Sequence, residues 1–212
     1  MSDWIYLEKP AGLPTLRPNA DPSGDCLLAR AVIDHPAQAQ VDWPLGFDGG
    51  ILHRLDTLTS GLVVAATSLD GFERGRAAFA AHRLQKVYRF LTARDVPWHH
   101  HVVEHPISHD KRKKSRMVWL RGQGTPHRGK WLPARTELRR LGRRGDLHLW
   151  EAVISTGVMH QIRVHAASVG LPLLGDRIYG GGPGDRFYLH HERIDGWFEP
   201  TPVVPLPDDW PA

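Results

Sequence analysis

Apolar positions along this chain fall into short runs, some alternating and some at helical spacing, and they divide it into elements. Residues 4–7, WIYL, read as a short strand that runs into a turn punctuated by Pro and Gly, EKPAGLP at residues 8–14. Residues 25–35 read as a helix, because Leu27, Leu28, Ala31 and Val32 recur on one face. Residues 37–50 mix polarity around Pro44 and end in glycines, which predicts a loop. The continuous run LVVAA at residues 62–66 follows Gly61 and reads as a buried strand. Residues 68–84 place Leu69, Phe72 and Phe79 at roughly helical spacing, with Ser68 or Asp70 available as the cap, although Gly71 and Gly75 work against a helix. Residues 86–93, KVYRFLTA, alternate as a strand does. Residues 133–141 and 147–154 predict an antiparallel pair across a turn at 142–145. Residues 160–168 predict a helix with Ile162, Ala166 and Val169 inward and Gly170 as its terminator. Residues 200–212 are Pro-rich and read as an extended tail. No internal repeat stands out and no linker separates two domains, so residues 1–212 are expected to form a single domain.

Composition narrows the class. With 212 residues, 41% hydrophobic and 24% charged, the chain has ample length for a core and the balance of a soluble globular protein. A net charge of +4, with 14 His that gain charge in mild acid, suits a polyanionic partner without requiring one. Cys26 is the only cysteine, which excludes an intrachain disulfide and points to a reducing cytoplasm. The start, MSDWIYLEKP, lacks the basic and apolar regions of a secretory signal. The apolar runs fall far short of the roughly 20 residues of a membrane helix. A soluble, cytoplasmic protein is the expectation.

Chemistry concentrates in residues 51–66, ILHRLDTLTSGLVVAA. His53, Arg54 and Asp56 lie on the loop that feeds the buried strand, where a rigid support can aim reactive groups. A nearby guanidinium favours the carboxylate form of an aspartate, which makes Asp56 a candidate nucleophile. Taken alone, Arg54 and Asp56 fit an ordinary surface pair equally well, and most such pairs do little. Tyr88 in the KVY segment, taken alone, reads as a half-buried strand tyrosine, and Arg163 as an ordinary helix arginine. Lys111, Arg112, Lys113, Lys114 and Arg116 form the densest basic run, KRKKSR. Such a run is either a solvated turn or a grip on phosphates. His99, His100, His101, His105 and His109 invite a metal hypothesis. Three consecutive residues of a strand cannot all face one way, however, and no carboxylate or cysteine completes a familiar ligand spacing. A His-rich hairpin loop is expected there, with no metal.

The string HRLDTLTSGL closely resembles the active-site signature of the RluA-type pseudouridine synthases, which convert uridine in RNA to its C-glycoside isomer. Three further strings agree, in the family's order. EKPAGLP resembles the NKPxG segment that opens the catalytic domain, with Glu8 where the family has Asn. Lys86-Val87-Tyr88 resembles its KxY motif. TGVMHQIRVHAASVGLPLLGDRIYG, at residues 156–180, resembles its TGRxHQIRxH…GxPxxGDxxYG signature. Here the chain departs at Val158, where the family commonly has Arg. Residues 187–191 resemble the family's LHA strand.

What the resemblance implies is specific. The fold would be α+β, the pseudouridine synthase catalytic fold, with a long mixed, mainly antiparallel sheet, flanking helices and a central cleft. The activity would be that of an isomerase (an intramolecular transferase) acting on uridines of ribosomal or transfer RNA. Asp56 would be the catalytic carboxylate, whether it attacks C1′, attacks the base or removes a sugar proton. Arg163 would pair with Asp56, and Tyr88 would lie against the uracil. Arg54 would enter the RNA helix and fill the space left by the extruded nucleotide, a role for a planar guanidinium rather than an ammonium. The reaction needs no redox step, so no cofactor is expected. The compact form without the small S4 module is expected, working as a monomer with RNA as its partner and with no membrane and no obligatory protein partner. Two other classes were weighed: a binding protein that keeps the RNA cleft but does no chemistry, and a metal-dependent nuclease using the His-rich segment. The first does not require Asp56, Tyr88 and Arg163 together, and the second lacks carboxylate ligands near its histidines.

Overall fold

The computed structural model describes residues 2–17, 21 and 23–211. Two compact units emerge, one from Met1–Leu84 with His191–Pro205 and one from Gln85–His190 with Leu206–Ala212.

In the first unit, strand β1 (Trp4–Lys9) runs antiparallel to β2 (Ser60–Ala66), in a register from Trp4 opposite Ala66 to Lys9 opposite Gly61. Every residue of β2 is buried, as its unbroken apolar run requires. Gly61 is obligatory: its φ is +115°, and a Cβ there would lie 2.1 Å from the carbonyl oxygen of His191. Helix α1 (Leu27–Asp34) buries Leu27 and Ala31, and its cap is the Cys26 thiol, which accepts from the Ala29 amide. Residues 37–50 are more ordered than a plain loop, with 3-10 turns at Pro36–Ala39 and Asp48–Gly50. Helix α2 (Leu69–Ala80) starts at Ser68, whose hydroxyl accepts from the Gly71 amide. Leu69, expected inward, is 45% exposed, while Gly71, Phe72 and Gly75 are buried. The reason is close approach: a Cβ on Gly75 would sit 2.7 Å from a Leu52 methyl. The glycines that argued against this helix let it reach its core of Trp4, Leu52, Leu62, Val64, Phe72, Ile194 and Trp197.

In the second unit, β3 (Gln85–Thr92), β9 (Leu147–Ile154), β8 (Thr136–Arg144) and β4 (His100–Val103) follow one another in a sheet, all antiparallel. The β8–β9 turn lies at Gly145 and Asp146, later than expected, because a bulge between Arg140 and Gly142 keeps Gly142 inside β8. His100 and His101 lie on β4 opposite Arg139 and Leu138, not on a loop. Alternation separates them, so that His100 meets Glu137 at 3.0 Å while His101 packs on Trp98. Among the described residues no group of three or more His, Cys, Asp or Glu could hold a metal ion. A second sheet, unforeseen in the sequence, orders β6 (Met117–Trp119), β5 (Ile107–Asp110) and β7 (His127–Leu132). Helix α3 (Gln161–Ser168) ends at Gly170, whose φ is +84°.

Strand β10 (Leu189–Asp195) has its first two residues in the second unit and the remainder in the first. Residues 200–212 are not a free tail. Val204 is buried in the first unit's core, where its amide donates to the Glu192 carbonyl, and Trp210 is buried against Tyr188 in the second. Among the described residues no helix is long and apolar enough to cross a membrane.

Candidate active site

The loop bearing Asp56 is held from two directions. On one side, Ile51 bridges to Ala65, the Leu52 amide donates to the Val64 carbonyl, and the Val64 amide donates to His53 Nε2 at 3.2 Å. These bonds lay residues 51–53 along β2, and Arg76 adds a bond to the Leu52 carbonyl at 2.8 Å. On the other side, the EKPAGLP segment grips residues 55–57. The Gly12 amide donates to the Thr57 carbonyl, and the Thr15 hydroxyl both donates to and accepts from the backbone of Leu55. Between these clamps Arg54 is exposed and Asp56 half-buried, and the Thr59 amide closes a turn on the Asp56 carbonyl.

Lys9 is the centre of the second clamp. It is fully buried, and Nζ donates to the carbonyls of Pro10 (2.9 Å), Leu13 (2.7 Å) and Thr57 (3.0 Å). Burial pushes its ammonium down to about 8, and the charge of Asp56 opposes that shift, which places the carboxylate in the ammonium's field. The sequence showed Lys9 only as part of a turn motif; its role as a staple was not read. Lys9→Met leaves three carbonyls without their common donor. It is expected to lower stability by about 3 kcal/mol, measured as a shift in the urea midpoint with unchanged slope.

The second unit carries the other predicted residues. Tyr88 lies on β3 opposite Ala152 and is buried. Arg163, in the first turn of α3, is 5% exposed. It makes a fork with Asp176, Nε to Oδ2 at 2.7 Å and Nη2 to Oδ1 at 2.9 Å. Asp176, 1% exposed, also accepts from the amides of Ile178 and Tyr179, so the GDRIYG turn and the helix are locked by one carboxylate. The guanidinium carbon of Arg163 lies 5.2 Å from the Tyr179 ring and 5.1 Å from the Phe187 ring. The Tyr179 hydroxyl accepts from the Met117 amide at 2.8 Å and pairs with His160 Nδ1 at 2.9 Å; burial pushes it up to about 12. In the sequence Asp176 and Tyr179 stand inside the GDRIYG string with nothing to mark them as buried partners of Arg163. Their signal was the motif's length beyond HQIR.

The remaining polar residues of the signature are scaffolding. Gln161 Nε2 donates to the Arg135 carbonyl and the Thr136 hydroxyl, while its Oε1 accepts from Thr156 and the Val158 amide. His165, fully buried, pairs Nδ1 with the Thr136 hydroxyl and Nε2 with the His105 carbonyl, both at 2.8 Å. A carbonyl only accepts, so Nε2 carries the proton and the ring is neutral. Burial pushes His165 down to about 4. An unfolded chain therefore binds a proton near pH 6.5 that the folded chain refuses until about 4, and stability falls as pH drops through that window. The expected slope from this residue is about 1.4 kcal/mol per pH unit. Urea melts at several pH values check it, and the acid-dependent loss should be smaller in His165→Gln.

The basic run forms the turn between β5 and β6. Lys111, Arg112, Lys113 and Lys114 are exposed and Arg116 is half-buried. Asp110 Oδ1 accepts from the amides of Arg112 (2.7 Å) and Lys113 (3.0 Å), which fixes the turn and holds that carboxyl below its usual range. Val158, at the departure from the family pattern, packs against the cluster of Ile107, Met117, Ala134, Val164 and Tyr179.

Residues 3–168 match the sequence profile of the RNA pseudouridylate synthases. The chain is 36% identical over 171 residues to an uncharacterized RNA pseudouridine synthase of Chloroflexus aurantiacus, a match covering 76% of this chain and 51% of that one. It is 34% identical over 178 residues to ribosomal large subunit pseudouridine synthase D of Nitrosomonas europaea, covering 83% and 47%. The chain thus spans about half the length of these curated relatives. In fold it is similar to the solved structure of human RNA Pseudouridylate Synthase Domain Containing 1, with a TM-score of 0.74 at 22% identity over 98% of this chain and 81% of that one. The architecture is therefore the α+β fold of pseudouridylate synthases, and with the profile matched from residue 3 to residue 168 this chain belongs to the RluA-type family of RNA pseudouridylate synthases.

Proposed function

We propose that the chain is a pseudouridine synthase that isomerises uridines of ribosomal or transfer RNA, acting as one catalytic domain, as a monomer, in the cytoplasm and without a cofactor. The observation that carries the reading is how the two signature strings fold. Each sets a reactive charge on a segment fixed by a buried, oppositely charged residue, the Asp56 loop by Lys9 and the Arg163 helix turn by Asp176. Buried charges are costly unless paired, and a fold that keeps two such arrangements around an aspartate and an arginine is one that aims them.

In this reading the Asp56 carboxylate starts the reaction at the ribose or the base. The C1′–N1 bond breaks, uracil turns, and a C1′–C5 bond forms; C5 gives up its proton to solvent and N1 takes one, so the product is an isomer of the substrate. Arg163 pairs with Asp56 and holds it ionised and oriented. Tyr88 stacks on the uracil, and its hydroxyl relays a proton. Arg54, exposed on the Asp56 loop, enters the RNA and takes the place of the extruded nucleotide, offsetting the few kcal/mol that unstacking costs. Lys111, Arg112, Lys113, Lys114 and Arg116 contact backbone phosphates. The test is RNA carrying tritium at uridine C5 and lacking pseudouridine. Release of tritium by the wild type, undiminished by EDTA, supports the reading, and no release from ribosomal or transfer RNA contradicts it.

A further inference from the structure

Within the basic run, Arg116 differs in kind from the four residues before it. Lys111–Lys114 project from an exposed turn, whereas the Arg116 backbone is fixed at both ends: its amide donates to the Lys113 carbonyl (3.1 Å) and its carbonyl accepts from the Asp110 amide (3.0 Å). The next residue, Met117, is buried and tied through its amide to the Tyr179 hydroxyl. The Arg116 guanidinium carbon in turn lies 5.8 Å from the centroid of the Tyr179 ring, the same ring that Arg163 approaches. Two guanidinium groups therefore share one aromatic platform, and only one of them has a close carboxylate partner.

Arg163 has its fork with Asp176. Arg116 reaches no carboxylate so closely. Asp110 Oδ2 is 4.0 Å from its Nε, at the limit of an ion pair, and Oδ1 of the same carboxylate is already engaged by two backbone amides. The buried Nε of Arg116 finds no hydrogen-bond acceptor among the described residues. Other arginines of this unit reach a carboxylate at short range, Arg139 to Glu151 at 2.6 Å and Arg140 to Asp95 at 2.5 Å, although the Nε of Arg140 likewise has no acceptor among the described residues. A half-exposed guanidinium held in place on an aromatic ring, with its Nε buried, suits a tetrahedral oxyanion that can take two parallel N–H bonds from the Nη groups. The one nearby position where the signature departs from its pattern, Val158, packs on this same Tyr179 cluster and supplies no charge.

We infer that Arg116 is the fixed phosphate clamp of the substrate strand, gripping one RNA phosphate bidentately at the Tyr179 platform, while the phosphate contacts of residues 111–114 are mobile and individually replaceable. This rests on the function proposed above. A clamp and a screening charge differ in what Lys can replace: an ammonium keeps the charge but loses the fork.

The test measures RNA binding as a function of salt, and tritium release, for the wild type, Arg116→Ala, Arg116→Lys, Lys113→Ala and Asp110→Asn. Arg116→Ala should weaken binding about 10-fold and reduce the salt slope by about one phosphate. Arg116→Lys should recover the slope but only part of the affinity. Lys113→Ala should lose under about 3-fold. Asp110→Asn, which keeps the amide acceptor and removes the competing charge, should bind as tightly as wild type or more so. An Arg116→Ala slope equal to wild type overturns the clamp. So does an Asp110→Asn loss equal to that of Arg116→Ala, since the arginine would then serve only its ion pair. A wild type that neither binds RNA nor releases tritium overturns the function itself, an outcome distinct from either.

Discussion

Asp56→Ala is expected to lose at least about 10,000-fold in isomerisation rate while the protein still folds, with a melting temperature lowered by only a few degrees as the buried Lys9 loses a neighbouring opposite charge. The rate should collapse because the proposed mechanism starts from a carboxylate and residues 51–60 hold no other. Deleting a group that acts in a covalent or proton-transfer step costs far more than deleting a binding contact. Folding should survive because the loop is held through its backbone. The Lys9 staple reaches Thr57, the Gly12 amide reaches Thr57, and the Thr15 hydroxyl reaches Leu55, none of which involves the Asp56 side chain. Asp56→Asn should be equally inactive, since it keeps shape and loses charge. Chromatography of the nucleosides after digestion measures the first claim, and a thermal melt the second.

Asp176→Ala should carry the largest stability effect. Arg163 is 5% exposed and Asp176 1% exposed, so the substitution strands a guanidinium in the interior and removes the acceptor for the Ile178 and Tyr179 amides. Breaking one side of a buried pair costs about 3–5 kcal/mol. Asp176→Asn keeps acceptors for the amides and should lose roughly half as much, about 2 kcal/mol. Removing both charges, in Arg163→Met with Asp176→Asn, should recover part of the stability of Asp176→Asn alone, because no unpaired charge remains. Under the proposed function, in which Arg163 pairs with Asp56, activity should not return. Urea denaturation beside tritium release separates the two.

The elements that were legible in the sequence are those whose apolar spacing is unambiguous. The expected strands at 62–66 and 86–93 are β2 (Ser60–Ala66) and the largely buried β3 (Gln85–Thr92), and the helices over residues 25–35 and 160–168 end within two residues of expectation. Strand β7, HRGKWL, could not be read because its residues are largely exposed and polar; pairing with β5 supplies what periodicity does not. The turn after β8 was misplaced because a bulge leaves no mark on hydropathy. Motif strings made the reactive residues legible, but not their supports. Lys9 and Asp176 are charged, and charged residues are read as exposed by default; only the fold shows that each is buried with its partners. His100 and His101 misled in the opposite sense, since a run of histidines reads as a loop when its strand partner, β8, lies far along the chain.

The most direct test of the account follows one defined uridine-containing RNA with wild-type protein and with Asp56→Ala, in equal amounts and at a salt concentration where both bind. Pseudouridine and uridine have the same mass and separate on a column, so digestion of the RNA gives both amounts at once. The account predicts that uridine lost equals pseudouridine gained with the wild type, with no pseudouridine from Asp56→Ala at matched binding. Equal pseudouridine from the two proteins, or none from either despite binding, would contradict it.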